Sequence, residues 1–180
     1  RLLGDLGHDI PSSYFSICDM QYPTRRNFKG LLAIHDDKTV HHAKLAYYTV
    51  QRVTAIFDST LHRIPDLAGK VEGAADGGTF SLFGYRNDRG ASVVTLWRNS
   101  HRPGERPEVE RLTVTLPGMR FTEPLWVDLL SGKAYTIASS NVTQKDGTVV
   151  FRDLPVYDSP VVIAERTALP LAPPAAGHEK

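Results

Sequence analysis

Leu112-Thr113-Val114-Thr115-Leu116 decides the fold class: three apolar side chains alternate with two threonines. Side chains of an extended strand point alternately to the two faces of a sheet, so this period of two marks a strand with one dry and one wet face. Similar short runs flank it at Thr79–Arg86, Ala91–Arg98, Pro124–Leu129, Lys133–Ala138, Gly147–Asp153 and Pro160–Glu165. Turn residues divide them. Asn87–Gly90 (NDRG) and Ser131–Gly132 suit hairpins, and Asp146–Gly147 is the strongest short hairpin signal in the chain. With no helical period among these runs, residues 69–166 are predicted to form an antiparallel β-sandwich of about seven to eight strands.

Residues 1–61 have a different texture, mixed helix and strand. RLLGDLGHDIP (1–11) reads as the end of a helix stopped by Gly7 and Pro11, and SSYFSICDM (Ser12–Met20) as a short buried strand rich in aromatic and β-branched residues. A polar stretch with Pro23, Arg25, Arg26 and Asn27 precedes the apolar Gly30–Ile34. From Ala43 the apolar positions Ala43, Ala46, Tyr47, Val50, Val53 and Phe57 recur at steps of three and four, while Lys44, Gln51 and Arg52 fall on the other side. This predicts an amphipathic helix, with Asp37 and Thr39 as its caps. Such a unit is α/β, and one parallel strand needs neighbours on both edges and helices over its faces. The segment therefore either packs onto the sandwich as an appendage or is the last unit of a larger α/β domain. From 167 to 180 the chain is rich in Pro and Ala and predicts a disordered tail.

The 180 residues suffice for one domain or a domain plus a fragment, and 21 basic against 20 acidic residues leave a net charge of +1. No long-range field draws in nucleic acid or an anionic membrane surface, and apolar runs are shorter than the ~20 residues of a spanning helix. Nucleic acid and membrane are therefore not expected partners. The single cysteine, Cys18, excludes an internal disulfide or a multi-cysteine metal site. With no Gly-rich phosphate loop, Gly-x-Ser-x-Gly elbow or His-Glu-x-x-His, no cofactor is assigned. The chain opens on Arg1 without a basic-then-apolar leader, and so reads as a processed or excised piece.

Asp19, Tyr22, Arg25, Arg26, Asn27 and Lys29 follow the first predicted strand directly. In α/β barrels binding groups sit on loops leaving the C-terminal ends of strands, and this set of carboxylate, aromatic, guanidinium and amide suits a hydroxyl-rich ligand. Asp19, Tyr22 and Asn27 are the candidate substrate-binding residues, against the blander reading of a solvated loop with Asp19 capping backbone amides. His35, Asp36, Asp37, His41 and His42 are the densest run of metal-ligating types, but adjacent histidines on a helix diverge by roughly 100°. The run reads as a polar loop entering the helix, and no metal is assigned. Cys18, beside Ile17, reads as a buried small hydrophobe rather than a nucleophile. Trp97, Trp126 and Tyr85 would stack on sugar rings if exposed together, and are otherwise packing residues. Asn141–Thr143 fits a glycosylation acceptor, a triplet frequent by chance.

Two stretches carry a resemblance: His8–Pro23, and NFKGLLAIHDDKTVHHAKLAYYTVQRVTAIFD from Asn27 to Asp58. They resemble the tail of a (β/α)8-barrel glycoside hydrolase of the clan A type, in which the eighth strand leads to a helix like Lys44-Leu45-Ala46-Tyr47-Tyr48-Thr49-Val50-Gln51. Phe80–Trp97, Pro124–Tyr135 and Phe151–Glu165 are similar to the C-terminal sandwich of these proteins, so the resemblance extends to about Arg166. It implies a fold that is mainly β, with one βα unit of an incomplete TIM barrel over 1–61. It also implies a parent that hydrolyses carbohydrate, using two glutamates at the ends of the fourth and seventh strands, roughly 5 Å apart in retaining enzymes. The first glutamate here is Glu72, past the barrel helix, so both catalytic carboxylates would lie upstream of Arg1 and this piece alone would be inactive. Where many members carry a Trp on the eighth strand, this chain has Tyr14, Phe15 and Cys18. The sandwich would be a structural accessory touching Tyr47, Tyr48 and Phe57, and polysaccharide hydrolysis implies a secreted or periplasmic location. The alternative is a non-catalytic carbohydrate-binding or surface-protein β-sandwich module.

Overall fold

The computed structural model describes residues 1–100, 104 and 108–171. In chain order, α1 is Leu2–Gly7, β1 Met20–Gln21, β2 Arg26–Asn27, β3 Leu32–Ile34, β4 Val40–Ala43, α2 Leu45–Ile56, β5 Leu61–Ile64 and β6 Lys70–Glu72. There follow β7 Phe80–Asn87, β8 Ser92–Arg98, β9 Glu110–Pro117, β10 Pro124–Asp128, β11 Lys133–Thr136, β12 Val142–Lys145, β13 Thr148–Val156 and β14 Val161–Glu165. The fold is mainly β. An antiparallel six-stranded sheet runs β11-β10-β14-β8-β7-β5, and an antiparallel four-stranded sheet runs β12-β13-β9-β6. The seven expected runs are all strands within a few residues of their predicted limits. The short strands β5, β6 and β12 were not expected.

Burial follows the alternation. On β9, Leu112, Val114 and Leu116 are buried while Thr113 and Thr115 are not. The buried side chains join Val149 and Phe151 of β13 and Val94, Leu96, Val161 and Ile163 of the six-stranded sheet in one apolar core. Each such side chain removed from water stabilises by about 1.5–3 kcal/mol before entropy is counted. Strands β8 and β14 lose the alternation, because both their faces are covered. Their opposite face, with Val93, Val162 and Ala164, meets Leu3 of α1 and Val53 and Ile56 of α2 in a second core.

Helix α2 starts later than its period suggests, because Val40–Ala43 pairs with β3 instead of coiling. Asp37 and Thr39 therefore do not cap it. The Asp37 carboxylate accepts hydrogen bonds from the Thr39 amide (2.9 Å) and hydroxyl (2.6 Å) and so builds the β3–β4 turn. Phe57 packs edge-to-face on Tyr85, with ring centroids 5.0 Å apart, whereas Tyr47 and Tyr48 meet edge-to-face with each other and Tyr48 is exposed. Arg52 clamps the helix to the sheet by donating to the carbonyls of Leu129 (2.9 Å) and Leu130.

Ser12–Met20 is not the buried strand that its residue types suggest. Phe15 is 72% exposed and Ile17 65%, and regular pairing is limited to one parallel bridge between Cys18 and Leu32 and to Met20, which opens β1. A parallel strand gains little until neighbours flank it, and one edge here is open. At the other end, Ala168 and Leu169 pack against the second core, so the chain stays attached beyond Arg166. The rest of the predicted tail, 172–180, lies outside the described residues.

Candidate functional site

The parallel bridge sets the geometry of a cleft. Leu31 and Leu32 amides donate to the carbonyls of Ser16 (3.2 Å) and Ile17 (2.8 Å), and the Asp19 amide donates to Leu32 (2.9 Å). The backbones approach so closely at Gly30 that a Cβ there would collide with Cys18 and Asp19. Asp19 then turns its carboxylate inward. One carboxylate oxygen accepts from the Gly30 amide at 3.0 Å and from the Lys44 ammonium at 2.6 Å, and Lys44 also donates to the Phe28 carbonyl at 2.8 Å. A buried carboxylate is tolerated when it is both paired and hydrogen-bonded, which is the case here.

Around this lock Arg26 donates to the Gln21 amide oxygen (2.9 Å) and the Ile34 carbonyl (3.2 Å) and pairs with Asp36. A bulge between Ala33 and Ile34 sets His41 out of register on β4. It breaks the alternation, so the rings of His41 and His42 meet, and the His35 ring lies 4.4 Å from that of His41. The expected divergence of the two histidines assumed a helix and does not hold. The result is a cleft of about 530 Å³ lined by Asp19, Arg26, Phe28, His35, His41 and Lys44, among others. Phe28 is 68% exposed, with the Arg26 guanidinium 6.0 Å from its ring centroid.

Of the three predicted substrate-binding residues, Asp19 lines this cleft, but its carboxylate is already committed to Lys44 and Gly30. Tyr22 lies outside it, on the β1–β2 turn under the Arg25 guanidinium, and the Asn27 side chain accepts the Lys29 amide at 3.0 Å. Lys44 and Arg26 are the residues that sequence reasoning underrated. Twenty-five positions separate Asp19 from Lys44, and no local pattern links them. No three metal-ligating side chains converge among the described residues. The cleft offers hydrogen-bond donors, imidazoles and an exposed ring, a set suited to holding a polar ligand.

Tyr85, Trp97 and Trp126 do not form a shared strip. Tyr85 is buried in the second core, where burial pushes its phenol up to about 12. Trp97 packs against that core and Trp126 against the other. Asn141 is half-buried before β12, and the Thr143 hydroxyl accepts from Arg152 at 2.7 Å. No protein-family model and no curated protein sequence matches the chain.

Proposed function

We propose that the chain is the C-terminal part of a glycoside hydrolase that cleaves a glycosidic bond in a carbohydrate. In this reading 16–19 belongs to the last βα unit of a (β/α)8 barrel, with α2 as its helix and the other units preceding Arg1, and the two larger sheets are the layers of an accessory β-sandwich. The observation that carries it is where apolar side chains remain exposed. Ile10, Tyr14, Phe15, Ile17, Phe28, Val40 and Leu45 all lie in the first 45 residues and are at least 44% exposed. Apolar exposure concentrated in one part of a chain marks a surface made to be covered. The parallel pairing at Cys18 supports the same reading, since the larger sheets are antiparallel throughout.

The cleft would then form part of the substrate wall at the C-terminal ends of the staves, where barrel active sites lie. Phe28 offers a ring face, Arg26 and His35 offer hydrogen bonds, and Asp19 with Lys44 holds the loop that carries Phe28. Both reacting carboxylates belong to the preceding part. The test is activity on aryl glycosides: the isolated chain is expected to give no turnover, and the polypeptide extended upstream is expected to hydrolyse them. Turnover by the pure isolated chain would overturn the placement of the carboxylates, and an upstream extension without paired glutamates would overturn the parent.

A further inference from the structure

A second groove lies between the β10–β11 hairpin and β13. Trp126 and Tyr135 are register partners across β10 and β11, with ring centroids 5.7 Å apart and planes tilted by 50°. The Trp126 indole donates to the Pro155 carbonyl at 3.0 Å, which fixes the ring, while Tyr135 is 50% exposed. The opposite wall comes from an irregularity in β13. Phe151 pairs with Val114 and Leu154 with Leu112, so Arg152 and Asp153 together oppose Thr113, and Asp153 takes the left-handed φ of 55°. Bulges of this kind re-aim side chains, and strained non-glycine backbone collects at binding sites. Here the bulge places Arg152 and Asp153 beside Arg111, which reaches the Asp153 carbonyl at 3.2 Å and its carboxylate at 3.5 Å.

The space enclosed is about 380 Å³, lined by Arg111, Trp126, Tyr135, Asn141, Arg152 and Asp153 among others. Two guanidiniums face one carboxylate, so the groove carries an excess positive charge beside two aromatic rings. A guanidinium matches a carboxylate with two parallel hydrogen bonds, and an aromatic face takes the apolar face of a pyranose. We propose that this groove binds an anionic sugar, a uronate-bearing oligosaccharide, with Tyr135 stacking on the ring and Arg152 holding the carboxylate. The proposal is independent of the hydrolase reading, because it uses residues of the two larger sheets alone.

The two tryptophans supply the test. Trp126 lines the groove, whereas Trp97 packs on the second core and serves as an internal control. The chain is titrated with a hexuronic acid trimer and, separately, with a neutral glucose trimer, while both indole N–H signals are followed by NMR. The expected result is a saturable shift of Trp126 alone with the uronate, little response to the neutral trimer, and binding weakened roughly tenfold by Tyr135→Ala or Arg152→Ala. Tyr135 is half exposed, so a thermal unfolding scan of its variant serves as the folding control. No Trp126 shift, or equal shifts of both indoles, would overturn the site. An equal response to the neutral trimer would overturn the ligand class.

Discussion

The first 56 residues and the sheets that follow are built from similar residue types and treat them oppositely. Between β7 and β14, Val93, Val94, Leu96, Val161 and Ile163 are fully buried because both faces of β8 and β14 meet another layer. In the N-terminal part Phe15, Ile17, Phe28 and Leu45 stand in water, while Leu3, Val53 and Ile56 alone reach the second core. An apolar side chain is a core residue only when a second surface is available to cover it. The sheets supply that surface to each other, whereas the N-terminal part covers one side of its helices and leaves its parallel edge open.

Mutations can sharpen the contrast. The largest expected effect is Phe151→Ala, which removes a fully buried ring packed edge-to-face on Phe121 and should cost about 3–5 kcal/mol in urea unfolding. Asp19→Ala leaves the Lys44 ammonium and the Gly30 amide without their partner. The expected loss is about 2–3 kcal/mol, confined to the N-terminal part and read as faster amide exchange near Gly30, with the sheets unchanged. Arg52→Ala cuts the clamp between α2 and the turn after β10 and should cost about 1.5–3 kcal/mol, seen as earlier proteolysis within the helix.

A smaller effect concerns pH. Burial pulls the Asp128 carboxyl up, but hydrogen bonds from Ser131, Tyr157 and the Leu130 and Ser131 amides outweigh it and hold the group below the ordinary range. Its stabilisation is therefore complete above the ordinary aspartate value of about 3.9 and is lost as pH falls through the lower folded value. Asp128→Asn should cost roughly 1 kcal/mol at neutral pH, less the screening of a partly exposed group, and flatten the acid limb of the stability profile. Phe15→Ser should change stability by less than about 0.5 kcal/mol while improving solubility, since the ring is already in water. A large destabilisation by Phe15→Ser would break the comparison outright.

Legibility varied with the physical cause of each element. Runs rich in β-branched and apolar residues bounded by turn signals announce strands whatever surrounds them, hence the close match over β7–β11, β13 and β14. The short β5, β6 and β12 (LHRI, KVE and VTQK) contain few apolar residues and gain their order by pairing with β7, β9 and β13. The Asp19–Lys44 pair and the meeting of His41 with His42 depend on a parallel approach and on a bulge, neither of which has a local sequence signature. The Trp126–Tyr135 groove likewise needs the register of β10 against β11, which fixes the pairing across eight intervening positions.

By itself the sequence determined a mainly β chain with one amphipathic helix near its start, because side-chain periodicity acts locally through the direction of each Cβ. Tertiary structure decided which apolar residues are covered, which carboxylate is neutralised and which aromatic rings meet. Those outcomes rest on surfaces brought together from distant parts of the chain, and desolvation and pairing act across space rather than along the backbone.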